Sequence, residues 1–132
     1  MSQENSEIVR AVYEAAERGD LDTANSHLHP EIEFHTYARS PEAGVYRGKA
    51  AVRQYNEDLF EQFDSIHFEI EELVDVGDRV VAVTRQHAVP KGGRQEMEVQ
   101  VIEVWELRDG LLVERRSYST RTEALEAAGL SE

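Results

Sequence analysis

The sequence predicts a single domain of the α+β class, in which helices cover one face of a mostly antiparallel sheet. Two observations predict this class. The first half of the 132-residue chain contains three segments whose apolar residues recur at helical spacing, and the second half is a series of alternating segments separated by turns that contain glycine. A chain of this length can form one hydrophobic core, so we expect one domain over residues 1–132.

Three helices are predicted before the meander. In the segment SEIVRAVYEAAERGD, Ile8, Val12 and Ala15 share one face, and Gly19 ends the helix. Asp20 is a suitable N-cap for a short second helix that follows immediately. The third helix is KAAVRQYNEDLFEQF, whose apolar face consists of Val52, Tyr55, Leu59 and Phe63.

The strands follow from alternation and from turn residues. EIEFHTY is the first strand, and the loop ARSPEAGVYRG after it contains a short strand at Val45 and Tyr46. The meander consists of SIHFEIEELVDV, RVVAVTRQHAV, MEVQVIEVWEL and LLVERRSYS, joined by turns at Gly77-Asp78, PKGGR and Asp109-Gly110. Thr120 and Glu123 have capping-box spacing, which predicts a short last helix, RTEALEAAGL.

The strand MEVQVIEVWEL has a carboxylate on its apolar face, because every second residue from Met97 to Leu107 is apolar except Glu103. The predicted turns place Glu103 opposite Arg116, although a single β-bulge would exchange the faces beyond it. The apolar residues of this core face are Ile66, Phe68, Ile70, Val74, Val81, Val83, Met97, Val99, Val101, Trp105, Leu107 and Leu112. Its polar residues are Arg85, His87, Glu103, Arg116 and Tyr118.

The opposite face of the sheet predicts a homodimer. It contains Val80, Ala82, Thr84, Gln100, Ile102, Val104 and Val113, with glutamates around them. A small apolar centre within a charged rim is typical of an interface, and isolated exposed valines are the alternative interpretation. We therefore expect two chains to associate through this face.

Composition excludes several classes of partner and site. The net charge is −13, from 27 acidic and 14 basic residues, so we expect neither nucleic acid nor an anionic membrane as a partner. The chain has no cysteine, and none of its five histidines belongs to a signature such as H-x-x-x-H, so we expect no metal and no cofactor. The first ten residues lack an apolar run, which predicts a cytoplasmic protein.

The segments ERGDLDTANSHLHPEIEFHT, GVYRGKAAVRQY and VWELRDGLLVERRSYSTRTEALEAAGL together resemble the SnoaL-like branch of the nuclear transport factor 2-like superfamily. The resemblance covers nearly the whole chain, as a single SnoaL-like domain over residues 1–132. It implies a cone-shaped, curved, mixed but mostly antiparallel sheet wrapped around three N-terminal helices, with a short C-terminal helix. It also implies an apolar pocket for a small hydrophobic molecule, and dimerisation through the sheet.

The same superfamily includes ketosteroid isomerase, which uses a general-base aspartate with a tyrosine and a protonated aspartate as its oxyanion hole. The resemblance puts the general-base position at Thr36, which cannot act as that base. It puts the tyrosine position at Val12, one residue before Tyr13, and the oxyanion-hole aspartate at Glu103. We therefore expect no steroid isomerase chemistry by that mechanism.

Glu103 has two interpretations. It can form a structural ion pair with Arg116, since a buried carboxylate without a partner is very unfavourable, or it can line the pocket and transfer a proton. We favour an ionised Glu103 that orients an arginine. The candidate catalytic residues are Glu103, Arg116 and His87, and the candidate ligand-binding residues are Tyr13, His35, Tyr55, Arg85, Val101, Trp105 and Tyr118.

Two functions remain open at this point. The first is a small enzyme, an isomerase, cyclase or hydrolase, that acts on an apolar, oxygen-bearing metabolite by acid–base chemistry. The second is a ligand-binding or dimeric scaffold protein without turnover. Two neighbouring titratable groups with different pKa values would favour the enzyme, whereas a fully paired glutamate would favour the binding protein.

Overall fold

The computed structural model describes residues 2–36 and 44–130 of the chain, and all the predicted helices and strands occur there. Tyr37 and residues 38–43 of the predicted loop lie outside the described residues. The helices are α1 (Ser2–Glu17), α2 (Leu21–Ser26), α3 (Lys49–Glu61) and α4 (Arg121–Ala128). The strands are β1 (Leu28–His35), β2 (Val45–Arg47), β3 (Phe63–Val76), β4 (Arg79–Pro90), β5 (Met97–Arg108) and β6 (Leu111–Tyr118). None of these described helices is long and apolar enough to cross a membrane.

The strands form one curved, unclosed sheet in the order β2-β1-β6-β5-β4-β3. Strands β1 and β6 are parallel, and every other neighbouring pair is antiparallel, which confirms the predicted α+β class and the mixed sheet. Strand β1 begins at Leu28, before the predicted Glu31, although it then contains Pro30. Its register with β6 shifts between Leu28 and Glu33, so the missing N–H of Pro30 falls in an irregular part of the ladder.

Helices cover both faces of the sheet. The inner face is the face packed against α1, α2 and α3. Its side chains form one hydrophobic core with those helices, and this core includes Val9 of α1 and Trp105 of β5. Phe68, Ile70, Leu107 and Leu112 join this core, as predicted. On the opposite, outer face, Leu125 of α4 packs in a second cluster with Ile102 and Val104. The short last helix therefore has a position that the sequence did not predict.

A β-bulge determines which arginine of β6 reaches the inner face. Near the Asp109-Gly110 turn the pairs of β5 and β6 are those predicted, but the register shifts after Leu107 and leaves Val113 as an extra residue. Beyond the bulge the side chains of β6 exchange faces relative to the prediction. Trp105 pairs with Arg115, so Arg115 lies on the inner face and Arg116 on the outer face.

The β4–β5 hairpin is offset by one residue from the predicted register. Glu103 pairs with Ala82, whereas the position of the PKGGR turn predicted Val81. The prediction for β4 is therefore wrong, because a one-residue offset places its whole alternating pattern on the opposite face. Val81 and Val83 of β4 lie in the outer cluster, and Val80 and Ala82 lie in the inner core. Val74 also packs against the outer cluster, because it follows a register shift in β3.

The apolar residues that predicted a homodimer are buried within the chain. Ile102 and Val104 are 5% and 7% exposed beneath α4, and Val80 belongs to the inner core. Homodimerisation stays a prediction, but the apolar centre of the outer face is already covered by the chain's own last helix.

Candidate functional site

A cavity of about 170 Å³ lies between the N-terminal helices and the inner face of the sheet. Its apolar wall includes the rings of Phe34, Phe60, Phe63, Phe68 and Trp105. Met97 and Val99 also line it and are each 53% exposed, so the opening lies beside the first residues of β5. A cavity of comparable size in an engineered protein core binds benzene, so this one has room for a small ring.

The inner end of the cavity contains a chain of three polar contacts that links four side chains. Trp105 Nε1 donates to the hydroxyl oxygen of Tyr13 at 3.1 Å, and the Tyr13 hydroxyl donates to Glu103 Oε1 at 2.5 Å. The other carboxylate oxygen, Glu103 Oε2, lies 3.2 Å from Arg115 Nη1. The Glu103 side chain is only 5% exposed, and both of its oxygens are engaged, as a stable buried carboxylate requires.

Arg115 is held by the ion pair and by an aromatic ring. Its Cζ lies 3.9 Å from the centroid of the Phe34 ring, which is the geometry of a cation–π contact. Its Nε is buried and has no hydrogen-bond partner among the described residues. Because a buried donor without a partner is unfavourable, this N–H favours an acceptor that enters the cavity.

Tyr13 acts as a hydrogen-bond donor in this arrangement. Burial raises the pKa of the Tyr13 hydroxyl well above its usual value of 10.0, and the charge of Glu103, together with the hydrogen bond to it, raises this pKa further. The phenol therefore keeps its proton at neutral pH. The Tyr13 oxygen accepts a hydrogen bond from Trp105 Nε1, and the Tyr13 O–H donates a hydrogen bond to Glu103.

The position of Tyr13 follows from the packing of α1. Its ring centroid lies 5.5 Å from that of Phe68 on β3 and 5.9 Å from that of Trp105 on β5. The resemblance placed the helix-one tyrosine at Val12. Both Val12 and Tyr13 line the cavity, but the hydroxyl of Tyr13 is the group that reaches Glu103.

The structure brings together three of the predicted site residues, Tyr13, Glu103 and Trp105, at one end of the cavity. The predicted pairing of Glu103 with Arg116 is wrong. Arg116 lies on the outer face, where its Nε donates to Glu114 Oε1 at 2.8 Å, and Arg115 takes its predicted place. The cause is the extra residue Val113 in β6.

Arg85 and His87 also lie on the outer face, because of the offset of the β4–β5 hairpin, and the prediction that they share the core face is wrong. Arg85 Nε donates to Glu71 Oε2 at 3.2 Å. The ring of His87 lies between two carboxylates, with Nε2 3.1 Å from Glu69 Oε1 and Nδ1 3.3 Å from Glu96 Oε2. Neither residue lines the cavity.

The remaining predicted residues lie outside the cavity as well. His35 faces Glu33 on the outer side of β1, and Tyr118 packs against the cluster beneath α4. Tyr55 contacts Phe34 in an edge-to-face arrangement, with ring centroids 6.3 Å apart. The cavity lining includes none of these residues, nor Val101.

Thr36, the residue that the resemblance puts at the general-base position, is also outside the cavity lining. Its hydroxyl oxygen accepts a hydrogen bond from the N–H of Gly44 at 2.8 Å.

Sequence reasoning missed Arg115 and Phe34, the two residues that complete the polar end. Arg115 is adjacent to Arg116 in the sequence, and only the bulge decides which of the two faces inwards. Phe34 had a usable signal, because it alternates with the buried Ile32 in EIEFHTY and would share its face.

We predict that Glu103 is energetically coupled to Arg115 and not to Arg116. Glu103→Gln or Arg115→Met should each cost about 3–5 kcal/mol, because removal of one partner leaves a buried charge unpaired. The double variant should cost less than the sum of the two, as measured by urea unfolding. In the matched cycle with the exposed Arg116→Met, the two effects should add. Additive effects for Arg115 together with coupling to Arg116 would contradict the register described above.

We also predict that the imidazole of His87 has a raised pKa. The hydrogen bond with Glu69, followed by that with Glu96, raises the pKa of the His87 imidazole above its usual value of 6.5. Its contribution to stability is therefore fully present below the pKa of the unfolded state, and is lost as the pH rises through the folded value. NMR titration should give His87 a higher midpoint than the same histidine in Glu69→Gln. Equal midpoints in the two proteins would refute the contact.

Comparison with known proteins places this geometry in a family. The model of the SnoaL-like domain family matches residues 9–115. A nuclear transport factor 2-like protein from Burkholderia thailandensis E264 is 29% identical, with a TM-score of 0.75, and 96% of this chain aligns with 98% of that one. No protein in a search of curated sequences matches significantly.

Two further solved structures share the fold. A putative SnoaL-like polyketide cyclase from Jannaschia sp. CCS1 is 22% identical, with a TM-score of 0.76, over 96% of this chain and 92% of that one. A protein with a ketosteroid isomerase-like fold from Catenulispora acidiphila DSM 44928, in complex with trimethylamine, is 16% identical, with a TM-score of 0.77, over 95% and 94%. The family match, which spans most of the chain, is decisive: this protein belongs to the SnoaL-like domain family.

Proposed function

We propose that the chain binds a small apolar molecule with an oxygen acceptor, whose body occupies the cavity and whose oxygen accepts from Arg115. The observation that carries the proposal is an apolar cavity that ends in buried polar groups. A few converging polar groups in an apolar wall are the usual form of a small-molecule site. The unpartnered Nε–H of Arg115 supports an acceptor in the ligand.

Binding without turnover is the function that the geometry supports best. Both oxygens of Glu103 are engaged, and the Tyr13 hydroxyl already donates to one of them. Among the described residues, no histidine and no second carboxylate line the cavity. To act as a general base, Glu103 would have to break one of these contacts before it could take a proton. The geometry therefore favours a role for Glu103 in positioning Arg115.

The fold of the relatives is consistent with small-molecule binding. The Catenulispora protein was solved with trimethylamine, and the Jannaschia protein is described as a putative polyketide cyclase. Both are less than 25% identical to this chain, so they support the fold alone, and the ligand of this chain has to be identified by its chemistry.

Acid–base catalysis is the second candidate, and the 2.5 Å hydrogen bond between Tyr13 and Glu103 is the observation in its favour. In this candidate the Glu103 carboxylate takes a proton from the ligand while the Tyr13 phenol donates its own proton to the ligand oxygen, and the Tyr13 phenolate then recovers a proton from the newly protonated Glu103. This candidate requires an acceptor to displace Glu103 from the Tyr13 hydroxyl.

We predict that acetophenone binds more tightly than α-methylstyrene, a probe of the same shape that has a CH2 group in place of the oxygen. One additional hydrogen bond contributes about 1 kcal/mol, which corresponds to roughly fivefold in Kd. Trp105 is the single tryptophan and lines the cavity, so its fluorescence reports occupancy, and calorimetry gives the affinity.

Three variants make this measurement specific. The double variant Glu103→Gln/Arg115→Met, which leaves no buried charge unpaired, should remove the advantage of acetophenone over α-methylstyrene. Ala88→Phe should fill the cavity and abolish binding of both probes, whereas Val45→Phe, at an exposed position of β2, should have no effect. Binding of both probes that survives Ala88→Phe would place the site elsewhere and overturn the proposal.

We also predict that steroids are not isomerised. The resemblance puts the general-base position at Thr36, which has no carboxylate and lies outside the cavity lining. The assay is a binding screen over steroids, terpenoids and aromatic polyketides, followed by an isomerisation assay on each steroid that binds. Isomerisation that survives Thr36→Val and is lost in Tyr13→Phe would contradict binding without turnover and support the acid–base candidate.

A further inference from the structure

The outer face of the sheet brings together a histidine and two glutamates at the junction of β1 and β6. These strands are parallel, and Glu33 pairs directly with Glu114. His35 Nε2 lies 3.0 Å from Glu33 Oε1 and 3.8 Å from Glu114 Oε2. One atom from each of the three side chains lies within 4.8 Å of the other two. Three possible metal ligands therefore converge on one point.

We propose that Glu33, His35 and Glu114 form a binding site for a divalent transition-metal ion of the zinc type. An imidazole nitrogen with two carboxylate oxygens is a ligand set that suits Zn²⁺. Ligands at 2.0–2.2 Å in a tetrahedral site are about 3.4 Å apart, which is close to the contacts that His35 already makes. The site lies on the opposite face from the cavity and does not depend on the function proposed for the cavity.

The pairing of the strands supplies a second reason for a cation at this point. Glu114 has Glu33 as its partner on β1 and Glu106 as its partner on β5, so three glutamates stand side by side across the sheet. Like charges in direct cross-strand pairs are destabilising. A divalent ion between the first two carboxylates would relieve this repulsion.

Two arginines contact the proposed ligands, and one of them, Arg116, reaches both oxygens of Glu114. Arg47 Nε lies 3.4 Å from Glu33 Oε2, the oxygen that does not face His35. Arg116 Nε donates to Glu114 Oε1 at 2.8 Å, and its Nη2 also donates to Oε2 at 3.4 Å. Partners of this kind fix the direction of a ligating carboxylate, although their charge competes with the ion. The alternative is that the same contacts form an ion-pair network without metal.

Access to the site is open on one side. A groove of about 520 Å³ runs beside His35 and Arg116 on the outer face. Side chains of the three proposed ligands are partly exposed, at 35% for Glu33, 17% for His35 and 30% for Glu114. An ion could therefore enter from solvent, and water could complete its coordination.

His87 provides a matched control within the same chain. It also lies on the outer face between two glutamates, but they approach different ring nitrogens: Glu69 faces Nε2 and Glu96 faces Nδ1. A single ion cannot use both carboxylates together with one nitrogen of His87. At His35, both glutamates approach the same atom, Nε2.

The test is a titration of the full chain with ZnCl2 by calorimetry, with MgCl2 as the comparison. We expect one zinc ion per chain with a micromolar Kd and much weaker binding of magnesium. His35→Gln and Glu33→Gln should each weaken the binding of zinc at least about tenfold, whereas His87→Gln should leave it unchanged. Circular dichroism of each variant establishes that the fold is retained, and Glu33→Gln, at a partly exposed position, guards against misfolding of the His35 variant.

Absence of zinc binding by the unchanged protein would overturn the proposal and leave an ion-pair network. Loss of binding in His87→Gln with retention in His35→Gln would overturn it too, since the ion would then sit elsewhere. Substitution of zinc by Co²⁺ gives a second readout, because tetrahedral coordination should produce visible absorption in the unchanged protein and none in His35→Gln.

Discussion

The ion pair between Glu103 and Arg115 is the interaction on which the inner face depends. It lies in an otherwise apolar core, where a charge without a partner would be strongly destabilising. Tyr13, Trp105 and Phe34 surround the pair: Tyr13 donates to Glu103, Trp105 donates to Tyr13, and the Phe34 ring packs against Arg115. The same contacts that stabilise the buried charge give the cavity its polar end.

The two faces of the sheet differ in the groups that they present. The inner face holds the cavity, with a cation whose remaining donor can meet a ligand oxygen. The outer face is covered at its centre by α4, and its edges present pairs of charged side chains, such as Arg85 with Glu71 and Arg116 with Glu114. The site proposed for an apolar ligand is therefore on the inner face, and the site proposed for an ion is on the outer face.

The elements were predictable because their signals are local. Helical spacing, alternation, glycine turns and the Thr120 cap all act over a few residues, and each predicted element is found. Glu103 was also predictable, since a carboxylate in an apolar strand needs a partner. Its partner was not predictable, because one extra residue at Val113 exchanges Arg115 for Arg116 without any change in composition or periodicity. The group at His35 depends on the parallel pairing of β1 with β6, two strands far apart in the chain, which no local pattern encodes.

The most direct measurement of the central claim is a crystal structure of the protein grown with acetophenone. The account predicts density for the ring in the cavity, between Trp105 and α3, with the carbonyl oxygen within hydrogen-bond distance of Arg115 and the contact between Arg115 and Glu103 intact. Density on the outer face with an empty cavity would contradict the account, as would a structure in which Glu103 points to solvent and Arg115 pairs elsewhere.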